Sequence, residues 1–506
     1  MIQGTGSHVG KSLFVTALCR IFMQDGYKVA PFKAQNMALN SAITSDGGEI
    51  GRAQALQAMA AGIEPTVDMN PILLKASSDM CSQVIISGKV AGNMSARDFF
   101  SISDQRKKFK EKVWEVICAS YQRLLTQYDL VVIEGAGSPA EINLDDIVNM
   151  KVARMADAPV ILVGDIDMGG FFASIVGTME LLSKDDRERV AGFIINKFRG
   201  DESLLKGGIE FLEERCKIPC VGIIPYLKDI WLPEEDRVSP ESKGAVERDK
   251  KGGEKIQIGV IYLPHIANFT DFDPFRIEEG VEIRYLAGAN INYDDLDLLI
   301  IPGSKNTIDD LAYLIESGMA EKIKEFHKRG GRVIGICGGY QMLGSTIDDP
   351  LKIETTRGMI GGLGLLPVET ILEPEKITSR VKAEVISSPL TPHPSPLTDL
   401  SGYEIHMGRT RLLDGARPIF RICERSGEKV DLPDGAISRD KMVWGTYIHG
   451  IFDNDSFRHQ LLEEMRHKKN ISSGIPENYS AHLEANLNKL ASLVRERIDL
   501  SRIHGF

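Results

Sequence analysis

Two stretches of the chain carry residue types whose spacing can do chemistry. The first is GTGSHVGKS (4–12), which follows an apolar stub and opens a helix-like run. Its glycines, Gly4, Gly6 and Gly10, let backbone N–H groups turn toward a phosphate, with Thr5 in the same turn. Lys11 then offsets β- and γ-phosphate charge, and the Ser12 hydroxyl is a ligand for Mg²⁺. The second is VIGICGGYQMLG (333–344), an apolar strand ending in Cys337, then two glycines and a helix. Small neighbours allow a cysteine to sit on a sharp strand-to-helix turn, where backbone N–H groups, that of Gly338 among them, face an attacked carbonyl. The expectations are ATP binding at one site and thiol nucleophilic chemistry at the other.

The elements around these stretches are those of parallel sheets. VVIEGAG (131–137), PVILVGDID (159–167), VAGFIINKF (190–198) and CVGIIP (220–225) are strand-length and rich in Val and Ile, with helical patterns between them. Continuous apolar strands alternating with helices predict an α/β fold with a mainly parallel, doubly wound sheet and ligands at the strand carboxyl ends. The composition turns polar and charged over 234–255, which reads as a linker. A second alternating pattern follows in KIQIGVIYL (255–263), DLLIIPG (297–303) and RVIGICGG (332–339). The expected organisation is an ATP-binding domain (1–233), the linker (234–255), a second α/β domain (256–470) and a helical tail (471–506). Only Met1, Ile2 and Gln3 precede the phosphate loop, fewer than the roughly 5–6 residues of a typical strand, so either the chain starts upstream or the strand is short, and in both cases a weakened sheet centre is expected. SSPLTPHPSPLTDL (387–400) is expected to be an extended surface loop.

Composition narrows the classes. The net charge of −11 speaks against a general nucleic-acid binder. No apolar run reaches the roughly 18 residues of a membrane span, and no signal peptide opens the chain, so a cytoplasmic protein is expected. The seven cysteines form neither a disulfide framework nor a zinc pattern, and Cys216 and Cys220 read as packing residues.

The longer phosphate-loop spacing resembles dethiobiotin synthetase. That resemblance implies a second phosphate-side lysine at Lys33, magnesium carboxylates at Glu49 and Glu134, and an adenine reader at Asn196. Asp165 and Asp167 are open between a magnesium role and a turn role. GICGGYQ resembles class I glutamine amidotransferases, which implies Cys337 as nucleophile, His449 in WGTYIHGIF (444–452) as base, and an oxyanion loop at PGSKNT (302–307) through Gly303 and Ser304. Most such relatives carry His-x-Glu, yet position 451 is Ile, so a slower or more dependent glutaminase is expected. His406 is open between a structural and a site role.

FKAQNMALNS (32–41), EIGRAQALQAMAAG (49–62), NPILLK (70–75) and EGAGSPAEINLDDIVNM (134–150) together resemble the cobyric acid synthase family over nearly the whole chain. The resemblance implies ATP- and glutamine-dependent amidation of the b, d, e and g carboxylates of adenosylcobyrinic acid a,c-diamide, with ATP and Mg²⁺ and no tightly bound prosthetic group. It makes Gln35, Asn36 and Asn40 corrinoid- or phosphate-side candidates. The alternatives are a cobyrinic acid a,c-diamide synthase, with the same chemistry at other carboxylates, and a phosphate-loop ATP switch with a degenerate amidotransferase domain. Ammonia needs a protected path between the sites, because free ammonia near neutral pH is mostly ammonium.

Overall fold

The computed structural model describes residues 1–78, 81–95, 104–141, 146–233, 254–388, 397–472 and 474–504. The expected linker lies, but for its last two residues, outside the described residues, as does most of the proline-rich stretch.

The first half builds one parallel array. The strands Ile2–Gly4, Val160–Asp165, Val190–Phe198 and Cys220–Pro225 are neighbours in that order, and Val29–Phe32 pairs with Leu130–Ile133. A parallel bridge from Ile2 to Glu134 joins the two sets. The Val160–Asp165 strand is buried almost throughout, because helices cover both of its faces. The first strand has three residues, but both of its neighbours hold it, so the sheet centre is short and still closed. A side sheet orders Gln35–Met37, Ile72–Ser78, Cys81–Ile86 and Lys89–Ser95. From it projects a small antiparallel hairpin, Ser41–Ile43 with Glu49–Gly51.

The second half has its own mainly parallel sheet, ordered Val281–Leu286, Ile256–Ile261, Leu298–Ile301, Arg332–Ile336, Val443–Thr446 and an antiparallel edge at Ala436–Ile437. It also carries a separate antiparallel sheet built on two long strands, Val368–Val385 and Leu400–Leu412. Alternation along these strands is broken by charged residues on both faces, which hid this sheet from a reading based on apolar runs.

The tail is helical, follows the second domain in the chain and packs on the first. Its helix Tyr479–Arg497 returns to the first domain and lies along the phosphate-loop helix, Lys11–Gln24. Leu487, Leu490, Ala491, Val494 and Ile498 join the core that contains Phe14, Leu18 and Ile21. Arg20 of the loop helix bonds Asn488 at 2.9 Å and pairs with Glu484, and Arg495 pairs with Asp25 at 2.8 Å. The second domain is therefore set between two segments of the first.

Leu490 is fully buried in that core. Leu490→Ala is expected to destabilise the protein by about 2–5 kcal/mol in urea denaturation. A midpoint equal to wild type would mean that the tail is an appendage.

Candidate active sites

The phosphate loop closes over a cleft of about 770 Å³ whose walls include Lys11, Ser12, Lys33, Asn36, Glu134 and Asn196. Gly10 enters the helix with φ 107°, and a Cβ there would lie 2.2 Å from Asn196 Nδ2, so both conformation and space require glycine. Lys11 Nζ donates to the carbonyls of Gly6 at 2.7 Å and Gly137 at 3.2 Å, which folds the ammonium over the loop. Thr5 N donates to Val163 O and fixes the loop to the sheet.

At the base of the cleft Glu134 is buried and fully engaged. Its Oε1 accepts from Ser12 Oγ and Lys33 Nζ, both at 2.8 Å, and its Oε2 accepts from Gln57 Nε2 at 2.6 Å. Burial alone would raise its pKa; the Lys33 charge and the hydrogen bonds hold it below the ordinary carboxylate range. A hydroxyl and a carboxylate this close suit Mg²⁺, which commonly takes one or two protein oxygens and completes its shell with phosphates and water. The donors present fit that ion. Asp165 and Asp167 line the mouth, where they pair with Lys197 and Arg199, each at 2.7 Å. The Asn196 amide nitrogen is engaged with Val9 O at 2.7 Å, so this residue braces the loop from within the cleft.

Three expectations need correction. Glu49 does not line this cleft. Both of its oxygens are held by lysines, Lys75 at 2.9 Å and Lys376 at 2.6 Å, and it stands apart from Ser12 and Glu134, with which a magnesium ligand would have to cluster. Burial opposes its charge, yet the two ammonium groups hold its pKa down at about 2. Asn40 is fully buried and does not line the cleft; its Oδ1 accepts from Phe269 N of the second domain at 3.0 Å. Gln35 carries a buried Oε1 with no partner and does not line the cleft. Asn36 does line it, tethered to Gln54 Oε1 at 2.9 Å.

In the second domain Cys337 stands between the strand Arg332–Ile336 and a helix, with φ 52° and ψ −109°, the strained geometry of a nucleophile elbow. The turn is possible because a Cβ at Gly339 would meet Ile301 O at 2.0 Å. Opposite it the oxyanion loop is held by Asp310, which accepts from Ser304 Oγ at 2.6 Å and faces His265 Nδ1 at 2.8 Å. Ser304 N lies 2.9 Å from the point where a Cβ of Gly338 would sit, and His449 Cε1 lies 3.2 Å from that of Gly303. Cys337, Gly303, Ser304, His449 and His406 line one pocket. His406 donates through Nδ1 to Gly408 O at 2.8 Å and stacks on Tyr447 with centroids 3.7 Å apart, and burial lowers its pKa against the pull of Glu404.

The missing acid is supplied from elsewhere. Asp271, in the 3₁₀ segment Phe269–Ile277, places Oδ2 2.6 Å from His449 Nδ1, and its Oδ1 accepts from Gly450 N at 3.1 Å. Tyr403 stacks on the other side of the imidazole, centroids 5.2 Å apart. Burial would lower the His449 pKa, but Asp271 and Cys337 overturn this and lift it to about 10. The orienting group of a triad is thus present, and the expectation of a weakened glutaminase loses its basis. The one signal in the sequence is NFTDFDPF (268–275), two acids set among aromatic residues. The same pocket reaches Lys75 of the first domain, and Lys305 and Lys376 of the second, none of which sequence reasoning had singled out.

Comparison with known proteins agrees with this two-site architecture. Residues 1–238 match the CobQ/CobB/MinD/ParA nucleotide binding domain, and residues 257–457 match the CobB/CobQ-like glutamine amidotransferase domain. The chain is 51% identical over 507 residues to a cobyric acid synthase of Clostridium botulinum (strain ATCC 19397 / Type A), covering 100% of this chain and 98% of that one. It is 52% identical to the cobyric acid synthase of Clostridium tetani, again over 100% and 98%. With that of Moorella thermoacetica it shares 50%, over 99% and 96%.

Asp271→Asn is expected to slow glutamine hydrolysis by about 10²–10⁴-fold, measured as ammonia release. It should also change how stability depends on pH. The raised His449 pKa means that its contribution is complete below about 6.5 and is lost as pH rises to about 10. Denaturation between pH 6 and 9.5 should show wild type losing stability across this window and the variant losing less.

Proposed function

The chain belongs to the cobyric acid synthase family, and we propose on that footing that its first site amidates corrinoid carboxylates with ammonia freed at its second. The observation that carries this reading is the presence in one chain of a Cys337–His449–Asp271 array and a phosphate-loop cleft, with Lys75 of the first domain in the wall of the Cys337 pocket.

At the second site the Cys337 sulfur attacks the side-chain carbonyl of glutamine. Backbone N–H groups of Ser304 and Gly338 stabilise the oxyanion, and His449, held protonated near neutral pH, gives a proton to the leaving nitrogen. Water then hydrolyses the glutamyl thioester and releases glutamate. At the first site Lys11 and Lys33 offset charge as the γ-phosphoryl group of ATP passes to a corrinoid carboxylate, releasing ADP. Ammonia displaces phosphate from this acyl phosphate to form the amide. When Mg²⁺ is bound, it supplies charge neutralisation between the phosphates, and Ser12 and Glu134 would hold it.

The substrate we assign is adenosylcobyrinic acid a,c-diamide, amidated at b, d, e and g. The mouth of the cleft suits a broad, largely apolar ring: Met168 is 84% exposed and Met37 63%, and Tyr226, Leu227, Ile230 and Leu232 continue the same wall. Ammonia passes where the glutaminase pocket meets Lys75 and Lys376. Burial lowers the Lys376 pKa to about 8 against the pull of Glu49, and positive groups at this crossing repel ammonium while admitting neutral ammonia. A cytoplasmic setting agrees with the free thiols of all seven cysteines. No helix among the described residues is long and apolar enough to cross a membrane.

The test is mass spectrometry of the corrinoid after incubation with MgATP, the a,c-diamide and either glutamine or ammonium. Four amidations are expected with either nitrogen source, and Cys337→Ala should keep only the ammonium reaction. An untouched corrinoid under both sources would remove the substrate assignment. Met168→Glu should raise the KM for the corrinoid about tenfold or more and leave that for ATP unchanged; equal effects on both would place the ring elsewhere.

A further inference from the structure

The segment 33–57 of the ATP-binding half begins and ends on one carboxylate. Lys33 bonds Glu134 Oε1 and Gln57 bonds Glu134 Oε2. Between these anchors the chain leaves the nucleotide cleft, turns through the hairpin Ser41–Ile43/Glu49–Gly51, and meets the second domain along its length. Thr378 Oγ1 donates to Gly47 O and Arg380 Nε to Ile43 O, both at 2.8 Å, and Lys376 pairs with Glu49.

The closest approach to the glutaminase lies at the start of the hairpin, and it is reciprocal. Asn40 Oδ1 accepts from Phe269 N at 3.0 Å, while Ser41 N donates to Asn268 Oδ1 at 2.9 Å. Both pairs are buried. Asn268 is the pivot of this contact. It sits in the left-handed region with φ 53°, a conformation that costs free energy outside glycine and needs its surroundings to hold it. Its Nδ2 lies 3.5 Å from His449 Nε2, and three residues on stands Asp271, the acid that orients the same imidazole.

We propose that Asn40, a residue of the ATP-binding half, is a positioning residue for glutamine hydrolysis. Through Phe269 N it fixes the turn at Asn268 and with it the start of the segment that carries Asp271. The imidazole is thus aligned with Cys337 only while the hairpin is seated. Because the hairpin is anchored at both ends to Glu134, occupancy of the nucleotide cleft and alignment of the histidine share one piece of backbone. This inference rests on the two-site reading above and adds to it a physical link by which the ATP half licenses ammonia release.

The test compares glutamine-driven and ammonium-driven amidation in the full chain for wild type, Asn40→Ala and the space-filling Asn40→Leu. Ammonium-driven turnover does not use the histidine, so it reports on folding and on the ATP site by itself. Both variants are expected to lower glutamine-driven kcat by about 10–100-fold, the scale of a small misplacement of reacting groups. The KM for glutamine should stay within about threefold of wild type and ammonium-driven turnover within about twofold, by the same argument. Unchanged glutamine-driven kcat in Asn40→Leu overturns the proposal, since filling space would then suffice. So does a loss of both activities together in both variants, which would make Asn40 a general structural residue. If wild type itself fails with both nitrogen sources, the fault lies in the substrate reading instead.

Discussion

The carboxylate of Glu134 is the fixed point around which the first domain is assembled. An ionised carboxyl with no exposure to water is tolerable only if every oxygen finds a donor. Here the donors come from three separate elements: Ser12 on the phosphate-loop helix, Lys33 at the end of the second sheet strand, and Gln57 on the helix Arg52–Ala60. Removing any one leaves charge or polarity stranded in a low-dielectric interior. The requirement therefore sets the relative positions of loop, sheet and helix more tightly than apolar packing does, since packing tolerates sliding and hydrogen bonds do not. The same carboxylate stands next to the hydroxyl that faces the nucleotide, so satisfying the fold and preparing the chemistry are one requirement.

The second domain is joined to this fixed point by polar contacts. The hairpin 41–51 meets it through backbone pairs and through Glu49, whose charge is shared between a lysine of each domain. A purely apolar interface would bind the halves as firmly without setting their register. Directional bonds set it, and register matters because the glutaminase pocket borrows part of its wall from the first domain at Lys75. On the proposed reading, nitrogen released beside Cys337 is thereby already at the domain boundary.

The two reaction centres were legible in the sequence wherever chemistry demands contiguous residues. A phosphate loop and a cysteine elbow are local objects, and Gly10, Lys11, Ser12, Cys337 and Gly338 stand where their spacing put them. His449 was legible for the same reason, at the end of an apolar strand. What escaped were contacts made across the fold. Asp271 lies 178 positions from the histidine it orients, and no periodicity connects them. Glu49 was read as a metal ligand from the resemblance to dethiobiotin synthetase; its partners here, Lys75 and Lys376, stand 26 and 327 positions away. Asn40 was a ligand-side candidate through the family resemblance alone, whereas its side chain accepts from the backbone of another domain. The antiparallel sheet of the second half was hidden because its strands are long, charged and only partly buried.

The return of the last helix to the first domain bears on how the protein is made. Synthesis runs from the amino end, and domains commonly condense as they emerge. Here the apolar face beside Phe14, Leu18 and Ile21 waits for Leu487, Leu490 and Val494, which are made only after the second domain. The nascent first half must persist with that face uncovered while more than 200 further residues are translated and the second domain folds between its two segments. Closure of the nucleotide domain's core therefore waits for the segment beyond the second domain, even though every residue of the phosphate loop has long been made.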